Sequence, residues 1–251
     1  MQRIIISLIT MALSVGVAAA PQAQSPTAAA LSFYRALKEK RYVEGFRHSV
    51  YRSAVEGLSA AELQELEPDF ARTFAQIPDK IEAQGEQVSG DTAVVTLKFE
   101  GTEQPQTVAL IRVGGDWLVG DQAALADVKQ QGRAYFFNVR MLANEDETVD
   151  ILQHIVGAEV IYGRKYPGRA ASLAELIRLG GVSKEMETGV VGGYRYAMAL
   201  SADQSSFTVS AVPVAYGKSG RLSFYADING IRAQDLKGQA ASASTPLFQP
   251  K

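Results

Sequence analysis

The chain has 251 residues, with 25 Lys and Arg against 27 Asp and Glu, a formal charge of −2. That balance argues against a nucleic-acid partner, which needs clustered positive charge. With no cysteine and two histidines, disulfide staples are excluded, and the ligand clusters of a zinc or redox centre are missing.

Residues 1–20 read as a secretory signal. Arg3 precedes an apolar run from Ile4 to Ala20, interrupted only by Ser7, Thr10, Ser14 and Gly16 and closing on Ala18, Ala19 and Ala20. An uncleaved anchor is the alternative, because the run approaches the ~20 residues that cross a bilayer as a helix. The Pro/Gln-rich continuation favours removal. The expected product is a periplasmic or secreted chain with no stable membrane span.

Ser25-Pro26 pairs a hydroxyl cap with proline at the first helical position, and Ala30, Phe33, Tyr34 and Leu37 recur behind it at helical spacing. A second short run passes through Tyr42, Phe46 and Val50. Ser59 and Glu62 form a capping-box spacing ahead of Leu63, Leu66, Phe70, Phe74 and Ile77, which share one helical face. Pro68 is expected to kink or restart that helix. After Pro78 the period changes to two: Ala93, Val95, Leu97 and Phe99 alternate behind a Ser89-Gly90-Asp91 turn, Thr107 to Val113 forms another strand, and Gly114-Gly115-Asp116 turns the chain into Trp117 to Val119. Helices followed by a curved antiparallel sheet is an α+β order. Leu31 to Phe46, Val88 to Phe99 and the hairpin Val108 to Asp121 resemble the nuclear transport factor 2-like cone, a resemblance spanning about residues 25–121.

Residues 122–139 read as a connector, in which Leu125 and Val128 suggest one helical turn, Gly132 breaks it, and Tyr135, Phe136 and Phe137 pack two modules together. The second module, residues 140–235, opens with a helix along Thr148, Leu152, Ile155, Tyr162 and Tyr166. Strands follow through Tyr194, Tyr196 and Met198 and through Phe207, Val209 and Ala211, then a hairpin from Arg221 to Ala233 turning at Asn229-Gly230. Residues 236–251 form an Ala/Ser/Thr/Pro-rich tail, expected to be disordered.

Ala143-Asn144-Glu145, Tyr162, Tyr166-Pro167 and Ser172-Leu173 with Leu176 resemble the start of a type IV pilin or pseudopilin head. The likeness continues at Gly193-Tyr194, Phe207 to Pro213 and Phe224 to Arg232. It implies a soluble pilin-like head over about residues 140–235. In that family an apolar membrane helix runs directly into the head helix, whereas here Asp127 to Leu142 carries Asp127, Lys129, Arg133 and Arg140. Such charges forbid a span, so filament assembly is not expected.

No residue is assigned as catalytic. Cone-fold relatives place a buried Asp or His with a Tyr donor inside the cone, which makes Tyr34 and His48 the candidates here, because Asp91 and Asp116 lie in turns. His154, near Asp150 on the second helix, reads as a solvated histidine. Asp227 and Asn229 are the candidates for a metal. However, Ile231 and Arg232 follow them where a calcium loop needs further acids, so the tight hairpin accounts for them better. No phosphate loop, nucleophile elbow or dinucleotide fingerprint is present, and no cofactor is expected. The expectation is a non-enzymatic protein binding an envelope protein or a small apolar ligand, with a pilus or secretion system as the setting the resemblance implies. The alternative is an isomerase-like or hydrolase-like enzyme working in the cone pocket.

Overall fold

Ser25 accepts from the Ala28 N–H at 3.1 Å and Pro26 takes the first helical position, so α1 (Pro26–Lys38) begins where the hydroxyl–proline pair predicts. The computed structural model describes residues 24–249; the expected leader lies outside them. Two short helices follow, α2 (Tyr42–Arg47) and α3 (Arg52–Glu56), and then α4 (Ala60–Thr73). The capping box of α4 is closed, Ser59 accepting from the Glu62 N–H and Glu62 from the Ser59 N–H. Pro68, expected to kink or restart the helix, lies inside a continuous α4. Proline removes one donor, to the Gln64 carbonyl; burial of Leu66 and Phe70 on either side holds the helix together.

Strands β1 (Ile81–Ser89), β2 (Thr92–Phe99), β3 (Gln106–Val113) and β4 (Asp116–Val119) form an antiparallel sheet in chain order. Along β2 the residues Ala93, Val95, Leu97 and Phe99 are buried, as their alternation predicts. Strand β1 carries no such signal, because every residue after Ile81 is exposed on both faces. The sheet packs beneath the helices on a core of Phe33, Leu37, Phe46, Leu66 and Phe70 with Val95, Leu97, Leu110 and Trp117.

The stretch expected as a connector is helical. Asp121 caps α5 (Gln122–Gln131), accepting from the Ala124 N–H at 2.8 Å, and Gly132 ends it with φ +54°. After a 3-10 turn (Gly132–Ala134), α6 runs from Tyr135 to Lys165, so the long helix starts well before Ala143. Val128 and Phe136 complete the first core. Periodicity missed this start because α6 changes partner along its length. Phe136 faces the first core, whereas Leu152 and Ile155 face the second, and no single apolar stripe joins them.

Helix α7 (Leu173–Arg178) and a 3-10 turn (Lys184–Thr188) precede a five-stranded antiparallel meander: β5 (Val190–Val191), β6 (Tyr194–Leu200), β7 (Phe207–Pro213), β8 (Leu222–Asp227) and β9 (Gly230–Asp235). Its inner face buries Tyr194, Tyr196, Phe207, Val209, Ala211, Phe224 and Ala226 against Leu152 and Ile155 of α6. The fold class is α+β, with helices and two antiparallel sheets. Among the described residues no helix is long and apolar enough to cross a membrane.

Two local expectations are corrected. The last hairpin pairs Asp227 with Gly230, so its turn centres on Ile228-Asn229, one residue earlier than Asn229-Gly230. Gly230 takes φ +128°, which a side chain would resist. The segment after Asp235, expected to be disordered, is seated along β9: Ala233 donates to the Pro246 carbonyl, Phe248 donates to the Ile231 carbonyl, and Ala241 and Thr245 are buried. Composition marks such a segment as unable to build a core of its own; it borrows one from the sheet.

Candidate functional site

Tyr34 and His48 do not converge. The Tyr34 ring meets Phe33 and Phe99 edge-on, each at 5.1 Å, and burial raises its pKa. His48 caps the end of α2, its carbonyl accepting from the Val119 N–H at 2.8 Å. Val119 pairs with Leu110, which pairs with Ala93 at the start of β2, whereas Phe99 ends that strand. Six strand steps separate these two anchor points, about 20 Å along the sheet. The charges around His48 are Glu44, Arg52 and Asp116; burial, the largest influence, lowers its pKa. Asp116 itself pairs with Arg52 at 3.0 Å. Phe33, Phe46, Phe70, Trp117 and Phe136 belong to the buried core of this region.

The other candidates serve local structure. The Asp227 carboxylate accepts from the Asn229 N–H at 2.7 Å, which ties the hairpin turn. Among the described residues no three His, Asp or Glu side chains gather as a metal cluster. His154 is exposed, its Nδ1 2.8 Å from the Asp150 carbonyl oxygen.

The residues that carry the pilin-like resemblance anchor α6 to its sheet. Asn144 is buried and donates to the Ser219 carbonyl at 2.8 Å, while Glu145 accepts from the Arg221 N–H at 2.7 Å and the Leu222 N–H at 3.1 Å. Tyr196 donates to Thr148 Oγ1, which donates to the Asn144 carbonyl; Tyr194 donates to the Leu222 carbonyl. The Tyr162 and Tyr166 rings lie 4.6 Å apart, and Ser172 caps α7 by accepting from the Glu175 N–H.

Sequence reasoning gave no role to one buried and one partly buried charge. Glu159, 4 % exposed, faces the second core, and both its oxygens accept from the Ala171 N–H; burial raises its pKa against that hydrogen bond. A signal existed, since Leu152, Ile155, Glu159 and Tyr162 recur at helical steps of three and four. Arg140, on the first turns of α6, reaches Asp69 at 2.6 Å, Glu65 at 3.0 Å and the Glu65 carbonyl at 2.7 Å, and its guanidinium lies 5.3 Å from the Phe137 ring. Lys218, from the loop between β7 and β8, joins at Glu65 Oε2 at 2.8 Å. Nothing local to residue 140 announces partners 71 and 75 residues away.

Two open grooves lie on the outer surface. One, of about 720 Å³, is lined by Leu173, Ala174, Ile177 and Met186 with Arg178, Lys184 and Glu187 among its lining residues. Arg178 is occupied by a bidentate pair with Glu175, whereas Lys184 and Glu187 enter no ion pair among the described residues. The second, of about 520 Å³, lies between α2 and α4, where Lys40, Arg41 and Arg47 face Glu44 and Glu67 beside Tyr42, Leu63 and Phe70. Apolar floors with a few charges can hold a side chain or a segment of a partner. No protein-family model, curated protein or solved structure matches this chain.

Proposed function

We propose that this is a non-enzymatic binding protein of the bacterial envelope, exported by its leader, in which a cone resembling nuclear transport factor 2 carries a pilin-like head that no longer assembles filaments. The observation that carries this reading is the separation of Tyr34 from His48 along the sheet. A catalytic site needs polar groups converging in an open pocket, and the enzyme alternative draws no support from that arrangement. Binding falls to the outer surface, and the groove of about 720 Å³ beside α7 is its place. The loss of filament assembly is supported by the start of α6. There, a membrane helix would have to continue upstream of Tyr135, but Gly132 ends α5 and Arg140 ties the helix to α4.

Capture from the native envelope fraction tests the reading. Tagged mature protein should retain a partner when His48 is replaced by Ala, and lose it when Lys184→Glu and Glu187→Lys are combined. Capture that survives the groove changes but disappears with His48→Ala, at unchanged melting temperature, would overturn the assignment. Electron microscopy showing pilus-like fibres of the purified chain would overturn its filament part.

A further inference from the structure

The segment after β9 runs antiparallel along that strand's outer edge and makes one isolated bridge to it. Ala233 donates to the Pro246 carbonyl at 3.1 Å, Phe248 donates to the Ile231 carbonyl at 2.9 Å, and Arg232 stands opposite Leu247. Arg232 Nη1 donates to the Thr245 carbonyl at 2.9 Å, while its buried Nε has no partner. The Phe248 ring lies 6.0 Å from Phe224 and joins the second core. The chemistry this edge accepts is therefore on view: an extended segment whose aromatic ring enters beside Phe224 and whose carbonyls meet Arg232 and the Ala233 N–H.

The chain reaches this position through a reversal in left-handed backbone, Lys237 at φ +54° and Gly238 at φ +80°. A residue with a Cβ resists that conformation. Lys237 is held there by a latch: its N–H donates to Asp235 at 3.2 Å, and its ammonium meets the Tyr216 hydroxyl at 2.8 Å and Asp235 at 3.1 Å. From Leu236 to Pro246 the chain has neither helix nor strand. A hinge in left-handed backbone, and a segment held on the sheet edge by two backbone hydrogen bonds, are features that let an element exchange between identical chains.

We propose that residues 245–248 are an exchangeable strand, and that the β9 edge of one copy takes this segment from a second copy. A second copy fits without further assumption, because it brings the same Leu247-Phe248 pair to the same acceptor groups. The covalent tether keeps the chain's own segment at an effective concentration on the order of millimolar. Exchange therefore takes over when copies are crowded side by side. It does not depend on the binding role proposed above.

The test uses the chain truncated after Lys237 together with a fluorescent peptide of residues 239–249. The truncated chain should bind the peptide saturably, a Phe248→Ala peptide at least tenfold more weakly, and the intact chain should bind the original peptide at least tenfold more weakly because its own segment competes. Because the chain has no cysteine, Arg232→Cys and Leu247→Cys variants can then be mixed under mild oxidation. A crossed disulfide should form in a yield that rises with protein concentration, whereas the double variant closes on itself when dilute. A truncated chain that melts cooperatively yet ignores the peptide would overturn the proposal. So would the absence of the crossed disulfide at the highest concentration, whether or not the peptide binds, and this second readout decides alone if truncation prevents folding.

Discussion

The two sheets are covered by different chemistry. Over β1–β4 the filling is aromatic, with the Phe46 ring 4.9 to 6.1 Å from Phe136, Phe70, Phe74 and Tyr51. Over β5–β9 the helix is pinned by directed hydrogen bonds: Tyr194 to the Leu222 carbonyl, Tyr196 to Thr148, Asn144 to Ser219, and Arg221 and Leu222 to Glu145. Burial raises both tyrosines above the usual range, Tyr196 to about 12, because a phenolate there would be desolvated. Ring packing is tolerant of small shifts, whereas a hydrogen bond specifies position. Mutation should therefore act through volume in the first region and through orphaned polar groups in the second.

The largest effect should come from Phe136→Ala, which empties the centre of the aromatic cluster. A loss of about 3–5 kcal/mol is expected in denaturant melts, with hydrogen exchange accelerating first in β2 to β4. Equal acceleration in β6 to β8 would show that the two regions open as one, and the contrast would collapse. Arg140→Ala comes next, at about 2 kcal/mol, since it strips a partly buried charge from Glu65 and Asp69. Its signature should be loosened α4 with both sheets still protected.

Tyr194→Phe should cost about 1 kcal/mol, the net worth of a buried hydrogen bond. A double-mutant cycle with Phe136→Ala should be additive, because no partner is shared; a coupling energy as large as the Tyr194 effect itself would break the comparison. The smallest effect is one of sign. His48 has a lowered folded pKa, so its contribution is full above its unfolded value near ~6.5 and is lost as pH falls through the folded value. Glu159 has a raised folded pKa, so its contribution is full below its unfolded value near ~4.3 and is lost as pH rises through the folded value. Regional hydrogen exchange against pH should show the first region weakening at mild acidity and the second strengthening lower still. Glu159→Gln should flatten only the second trend, and a Gln chain with an unaltered profile would remove Glu159 as its cause.

Much of this architecture was legible in local pattern. Caps at Ser25, Ser59 and Ser172 carry their own geometry within three residues, and β2 and β7 bury alternate residues as their spelling requires. The candidate site was less so. Tyr34 and His48 have the right chemistry for a cone pocket, but their separation depends on the β2–β3–β4 register. Arg140 was invisible for the opposite reason, its chemistry being ordinary for a helix surface until α4 is laid across it.

What the chain determined by itself is the α+β composition and the identity of most elements, because helix caps, period-two strands and tight turns are set by neighbours a few residues apart. Only the tertiary structure decided that residues 122–139 are helical and complete the first core, that the segment after Asp235 is held on β9, and that Tyr34 and His48 are set apart along the sheet. Each of these depends on burial against groups remote in sequence. The free energy of such burial belongs to the pair of surfaces and is written in neither one alone.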